Sequence, residues 1–286
     1  MRRLALTSLL IFTACTPALQ SNTSPATALD CFREQGFSML AAHRAGPAPG
    51  YPENALSSLQ RLGALGVLYA EVDVRRSADG VLFLLHDDTL DRTTTGTGPA
   101  ATRLWADLAT LNLVDNSGQA STETIPTLEA AGRVAQASGV ILNLDLKSVP
   151  PADIVDFIHA HDLRDHVSII AYTVEQAAAL HALDSGLLLS APDAPDALAA
   201  AGVNLDAIYL WLGTGPVDNE ADIRFATRGL ETSAGLFRFE PAGPDLYTHA
   251  RNAGVEILSI DHVDDAVAAL GGAETLRQQI ETCSAP

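Results

Sequence analysis

Val67-Leu-Tyr-Ala-Glu71-Val-Asp73-Val74 is apolar at every position but two. Alternate residues of a strand share a face, so Glu71 and Asp73 project one way while Val72 and Val74 project the other. The neighbours Leu68, Tyr69 and Ala70 mark a buried strand, which disfavours the alternative of two exposed carboxylates. Two like charges held there require a compensating cation. Outward from this stretch, short apolar runs alternate with helical patterns. Ser38–Ala42 reads as a strand and Asn54–Leu65 as a helix with leucines at helical spacing. Helices are expected over Thr127–Ser138 and Pro151–His161, and strands over Val140–Leu146 and Val167–Ala171. Thr173-Val-Glu-Gln176 is a capping box that opens another helix. Leu187–Ser190, Ala207–Leu212, Gly235–Phe239 and Glu256–Ile260 complete eight strands, most with helices between them. That pattern predicts an α/β fold, a TIM-type (β/α)8 barrel; a doubly wound open sheet is the alternative.

Between Asp73 and Thr127 the alternation lapses. Asp79-Gly80 marks a tight turn, and with these two as the loop residues Ala78 faces Val81 and Asp73 faces His86. A small hairpin and loop insertion after the second strand is therefore expected at the functional end of the barrel. A further strand, Asn143-Leu-Asp145-Leu-Lys147, carries its polar residues on one face. Lys147 is the only lysine in the chain, a compact ammonium where every other basic residue is Arg. Three carboxylates, Glu71, Asp73 and Asp145, are the oxygen donors that a hard cation such as Ca2+ or Mg2+ takes. His43 and His86 stand at strand ends, where they suit general acid and general base work. His159, His161, His166 and His181 lie on or beside helical stretches and read as structural.

The ordered run His43-Arg44-Ala45-Gly46, Pro52-Glu53-Asn54, Glu71-Val-Asp73, Asp79-Gly80 and His86-Asp87 resembles the signature of the glycerophosphodiester phosphodiesterase family. Asp145-Leu-Lys147 and Ile257-Leu-Ser-Ile-Asp261-His are similar to its later strands. The resemblance implies a TIM barrel, one divalent cation, and hydrolysis of a small-molecule glycerophosphodiester to sn-glycerol 3-phosphate and an alcohol. It implies that Glu71, Asp73 and Asp145 hold the metal, with Glu53 a further ligand or a neighbour of the ligands. Arg44 and Lys147 would grip the phosphate, and His43 and His86 would exchange protons. Three departures stand out: Ala45 where the family usually has Gly, Asp145 where Glu is usual, and no Trp-Thr-Val segment on the next-to-last strand. Two other readings are a phospholipase-like barrel acting on intact lipids and a non-catalytic envelope lipoprotein. The sequence has no aromatic-rich loop suited to membrane insertion, which disfavours the first. The retained histidines, carboxylates and lysine disfavour the second.

At 286 residues with 47% apolar content, the chain fits a single barrel domain over residues 31–286. A formal charge of −18, with 35 acidic and 17 basic residues and no basic run longer than a pair, excludes nucleic acid as a partner. Met1-Arg-Arg3 and the apolar run from Leu4 to Ala14 read as a signal peptide too short to span a bilayer. Phe12-Thr-Ala-Cys15 resembles a lipobox, which would make Cys15 the site of lipidation and residues up to 30 a flexible tether. Export as a bacterial periplasmic or membrane-anchored lipoprotein follows; cleavage after Ala26-Thr-Ala28 and plain secretion is the alternative. Export permits a disulfide, and Cys31 and Cys283 lie near opposite ends of a chain whose barrel termini would meet. A Cys31–Cys283 bridge is expected, the alternative being two buried thiols.

Overall fold

A computed structural model describes residues 24–217 and 224–284. The expected signal peptide, the lipobox and Cys15 lie outside the described residues. The strands in chain order are β1 (Met39–Ala42), β2 (Tyr69–Arg76), β3 (Leu82–Leu84), β4 (Asn112–Val114), β5 (Ala120–Thr124) and β6 (Ile141–Leu146). They continue as β7 (Val167–Ile170), β8 (Leu188–Pro192), β9 (Ile208–Thr214), β10 (Thr232–Gly235) and β11 (Ile257–Ile260). Strand β1 pairs in parallel with both β2 and β11, and β6 to β11 follow in sequence, so eight parallel strands close a barrel. The eight-stranded TIM barrel expected from the strand count is the fold. Strand β3 pairs antiparallel with β2 as a hairpin arm, and β4 and β5 form a separate two-stranded ribbon.

Inward and outward faces of the strands separate two apolar layers. Leu40, Ala42, Val72, Val74, Leu142 and Leu144 point out to the surrounding helices, where Leu59 and Leu62 of the helix Leu56–Leu65 are fully buried. The inward set changes along each strand. Met39, Tyr69, Ile141 and Ile257 fill the lower barrel with apolar side chains. Further along, the same face carries Glu71, Asp73, Asn143 and Asp145, all buried. The barrel is thus solid at the base and polar at the end where the strands finish.

Two helices stopper the base. Pro25–Gln35, capped by Ser24 through its hydroxyl and by left-handed Gly36, inserts Leu29 and Phe32 beneath the strands. Gly272–Ser284 brings Ile280 and Cys283 to the same cluster. Cys31 and Cys283 are joined there, with Cα atoms 5.5 Å apart. Residues 25–30, expected to belong to a flexible tether, are helical instead, with Ala28 and Leu29 packed into the base.

Two local expectations are corrected. The strand placed at Gly235–Phe239 is Thr232–Gly235, and Leu236 to Phe239 form the loop that follows it. Thr232 and Ser233, which alternation of apolar residues does not mark, occupy the barrel wall instead. The hairpin turns over three residues, not two: the Ser77 N–H donates to Val81 O, and Gly80 takes φ of 92°. The Ser77 hydroxyl binds both Asp79 and the Val81 N–H, and Asp79 in turn accepts from the Trp105 N–H. The register therefore shifts by one, Asp73 pairs with Leu85 through its carbonyl, and His86 falls just past it. The disulfide closes a loop of sequence separation 252. Its reduction, or Cys283→Ser, is expected to lower the unfolding free energy by about 2–4 kcal/mol. Chemical denaturation with and without reductant measures this, and coincident curves would contradict it.

Candidate active site

Register between neighbouring strands builds the centre of the site. Strand β2 pairs with β6 so that Asp73 lies beside Asp145 and Glu71 beside Asn143. One carboxylate oxygen from each of Glu71, Asp73 and Asp145 falls within 4.8 Å of the others. At that separation, two full charges repel by roughly 3 kcal/mol at an effective dielectric of about 20. Asn54 clamps Asp73: its amide donates to Oδ2 at 2.8 Å and its carbonyl oxygen accepts the Asp73 N–H at 3.1 Å. Glu71 accepts the Arg44 N–H at 2.7 Å. Asp73 Oδ1 is buried without a hydrogen bond, and Lys147 Nζ lies 3.1 Å from it. Lys147 also pairs with Asp145 Oδ2. One ammonium against three carboxylates leaves the group under-compensated, and burial, followed by the Asp73 charge, pushes the Glu71 carboxyl well above the usual range. An all-oxygen donor set, with one buried oxygen that makes no hydrogen bond, fits a hard divalent cation.

The turn after β1 brings in the next layer of groups. Arg44, Ala45 and Gly46 take φ of 51°, 63° and 64° in succession. This left-handed run aims the Arg44 N–H at Glu71 and swings its guanidinium outward. A Cβ on Gly46 would come within 2.7 Å of Val263, so only glycine fits there. Ala45, fully buried, keeps its left-handed conformation at a steric cost that glycine would not carry.

Both histidines are oriented by carboxylates. His43 Nδ1 lies 2.8 Å from Asp261 Oδ1, and its ring stacks on Phe237 with centroids 4.8 Å apart. His86 Nδ1 lies 2.7 Å from Asp87 Oδ1, while its Nε2 faces Arg44 Nη2 at 3.0 Å. Arginine has no acceptor, so that contact makes Nε2 the acceptor and assigns the His86 proton to Nδ1. Asp87 and Glu53 share Arg92, which forks onto both Glu53 oxygens at 2.8 Å. Arg92 holds the Asp87 carboxyl far below the usual carboxylate range. A cavity of about 630 Å³ opens over the centre, bordered by His43, Glu71, Asp145, Tyr172, Trp211 and Phe237. Partial desolvation of its hydroxyl, followed by the Asp145 charge, raises the pKa of Tyr172.

His43, Arg44, Glu71, Asp73, His86, Asp145 and Lys147, singled out in the sequence, all meet at this end of the barrel. Glu53 is beside the three carboxylates and not among them, because its oxygens are taken by Arg92 and, at 3.4 Å, by Arg44. Sequence reasoning leaves Arg92, Tyr172 and Phe237 unassigned. Each stands on a loop, where no periodicity announces a direction. Asp261 enters the sequence reading only as part of a strand end; an acidic residue at that end of a barrel strand is the signal that could have found it.

The chain matches the model of the "Glycerophosphoryl diester phosphodiesterase family" over residues 43–188, just over half its length. The chain belongs to that family. A glycerophosphodiester phosphodiesterase of Caldanaerobacter subterraneus subsp. tengcongensis is 32% identical over 111 residues, 38% of this chain and 45% of that protein. A probable glycerophosphodiester phosphodiesterase 2 of Mycobacterium tuberculosis is 31% identical over 136 residues, 46% of this chain and 48% of the other. The chain thus spans less than half the length of these curated relatives. The crystal structure of a glycerophosphoryl diester phosphodiesterase from Parabacteroides distasonis superposes with a TM-score of 0.75 at 26% identity, covering 82% of this chain and 86% of that one. An Oleispira antarctica phosphodiesterase solved with its product sn-glycerol-3-phosphate shares the fold at a TM-score of 0.67 and 23% identity, over 83% and 98% of the two chains.

In this member of the glycerophosphoryl diester phosphodiesterase family, the left-handed turn after β1 carries an alanine at position 45. The strained Ala45 gives a direct expectation: Ala45→Gly raises the unfolding free energy by up to about 1 kcal/mol, the relief exceeding the added chain entropy. A lower denaturation midpoint for this variant would rule out the strain. The raised Glu71 carboxyl gives another. The fold holds that proton more tightly than the unfolded chain does, so cation-free protein loses stability as pH rises from about 4.3 through the raised value. A divalent cation removes that penalty. The gain in melting temperature on replacing EDTA with excess Ca2+ or Mg2+ is therefore expected to grow from acid toward neutral pH. A gain independent of pH would show that Glu71 does not face the cation.

Proposed function

We propose that this protein hydrolyses glycerophosphodiesters to sn-glycerol 3-phosphate and an alcohol, using a divalent cation held by Glu71, Asp73 and Asp145. The observation that carries this reading is the meeting of three buried carboxylates, two cations and two carboxylate-oriented histidines in one barrel mouth. Family membership and the product named for the Oleispira antarctica enzyme support it. A bound cation supplies positive charge against the phosphoryl oxygens of a diester anion that otherwise repels nucleophiles. Lys147 and Arg44 offer further positive charge on either side, Lys147 as a point charge and Arg44 as a fork. As the attacking hydroxyl bonds to phosphorus, one histidine takes its proton. As the bond to the leaving alcohol breaks, the other histidine returns one. Asp261 and Asp87 keep the two imidazoles turned and stabilise whichever becomes charged.

Purified protein incubated with glycerophosphocholine is expected to release glycerol 3-phosphate with Ca2+ or Mg2+ and to stop in EDTA. His43→Ala is expected to lower kcat by about 10²–10⁴-fold, the usual contribution of a positioned acid or base. Asp73→Ala is expected to abolish the metal response. Release that persists in EDTA, or folded protein inert with both metals, would refute the reading.

A further inference from the structure

His43 is held by two loops from different strands. Phe237, on the loop after β10, supplies the plate against which the ring stacks, and Asp261, at the end of β11, accepts from Nδ1. What joins them is Glu240, a buried carboxylate three residues beyond Phe237. Its Oε2 accepts the Asp261 N–H at 3.0 Å, and its Oε1 accepts the His262 N–H at 3.0 Å and the Tyr247 hydroxyl at 2.9 Å. No arginine, lysine or histidine side chain forms an ion pair with it among the described residues. A buried carboxylate without a cation is tolerated only when donors surround its oxygens, and here two of the three donors are the backbone of the residue that orients His43 and of the one after it.

We propose that Glu240 is a positioning residue for His43, acting through the Asp261 backbone on one side and through its own loop's Phe237 on the other. The inference rests on the proposed function for its kinetic consequence but not for its geometry. A carboxylate is required because both oxygens must accept. Glutamine has the same shape, but its amide would turn a donor toward one of the two backbone N–H groups, and the Asp261 carboxylate would rotate away from His43. The polypeptide is otherwise unaltered, and the barrel wall is untouched.

The test uses the full chain and three variants, Glu240→Gln, Asp261→Asn and the double substitution. The His43 Nδ1 proton, identified by its absence from His43→Gln, gives a low-field NMR signal while it is bound to Asp261. That signal is expected in the wild type and lost in Glu240→Gln, with the melting temperature little changed. Against glycerophosphocholine, Glu240→Gln is expected to lower kcat by about 10–100-fold, the usual cost of losing a supporting hydrogen-bond partner, with KM nearly constant. In the Asp261→Asn background the same substitution should cost less than about twofold, since both act through one contact. Retention of the His43 signal in Glu240→Gln would overturn the proposal, and so would kcat losses that multiply in the double variant. A wild type without phosphodiesterase activity would instead defeat the proposed function, leaving the NMR arm to decide the role of Glu240.

Discussion

Mutual repulsion among Glu71, Asp73 and Asp145 is the constraint around which the mouth of the barrel is organised. Parallel register brings Asp73 beside Asp145 whatever else the chain does, because the apolar sets of β2 and β6 must both face the helices. The barrel's stability therefore imposes an electrostatic cost at the mouth. The surrounding structure is a set of partial offsets: Asn54 straddling Asp73, the Arg44 N–H on Glu71, and Lys147 between two carboxylates. None of these neutralises the group, so a cation bound there would stabilise the fold.

Around that centre, charge alternates in sign along Arg44, Glu53, Arg92 and Asp87. Glu53 lies between Arg44 and Arg92, Arg92 between Glu53 and Asp87, and His86 between Asp87 and Arg44. The ring of contacts returns to its starting residue. Each member loses orientation if a neighbour is removed, and the result is a preorganised pocket made largely of loop residues. His43 belongs to a different set, fixed from the β10 and β11 side by Phe237 and Asp261. The two histidines are thus oriented by separate sets of contacts.

Much of this is legible in the amino-acid sequence. Strand alternation dictates which way Glu71, Asp73, Asn143 and Asp145 point, since a two-residue period leaves no freedom once one face is buried. Short apolar runs locate most of the barrel wall. Thr232 and Ser233 escape detection because a strand lining a polar cavity lacks the apolar signal, and the following Leu236-Phe237 imitates one. The hairpin slips by a residue because Asp-Gly favours a two-residue turn, whereas the Ser77 hydroxyl stabilises a wider one. Arg92 and Glu240 are illegible for a different reason. Their partners are fixed by how loops fold over the barrel, and no local pattern encodes a contact between residues 39 or 21 positions apart.

The stoppered base has a consequence for traffic. With Leu29, Phe32, Ile280 and Cys283 packed beneath the strands and the disulfide binding their two helices, the barrel is a vessel and not a channel. Whatever enters the mouth must leave by the same opening. Arriving and departing molecules then share one doorway, rimmed by the same residues that meet at the barrel mouth.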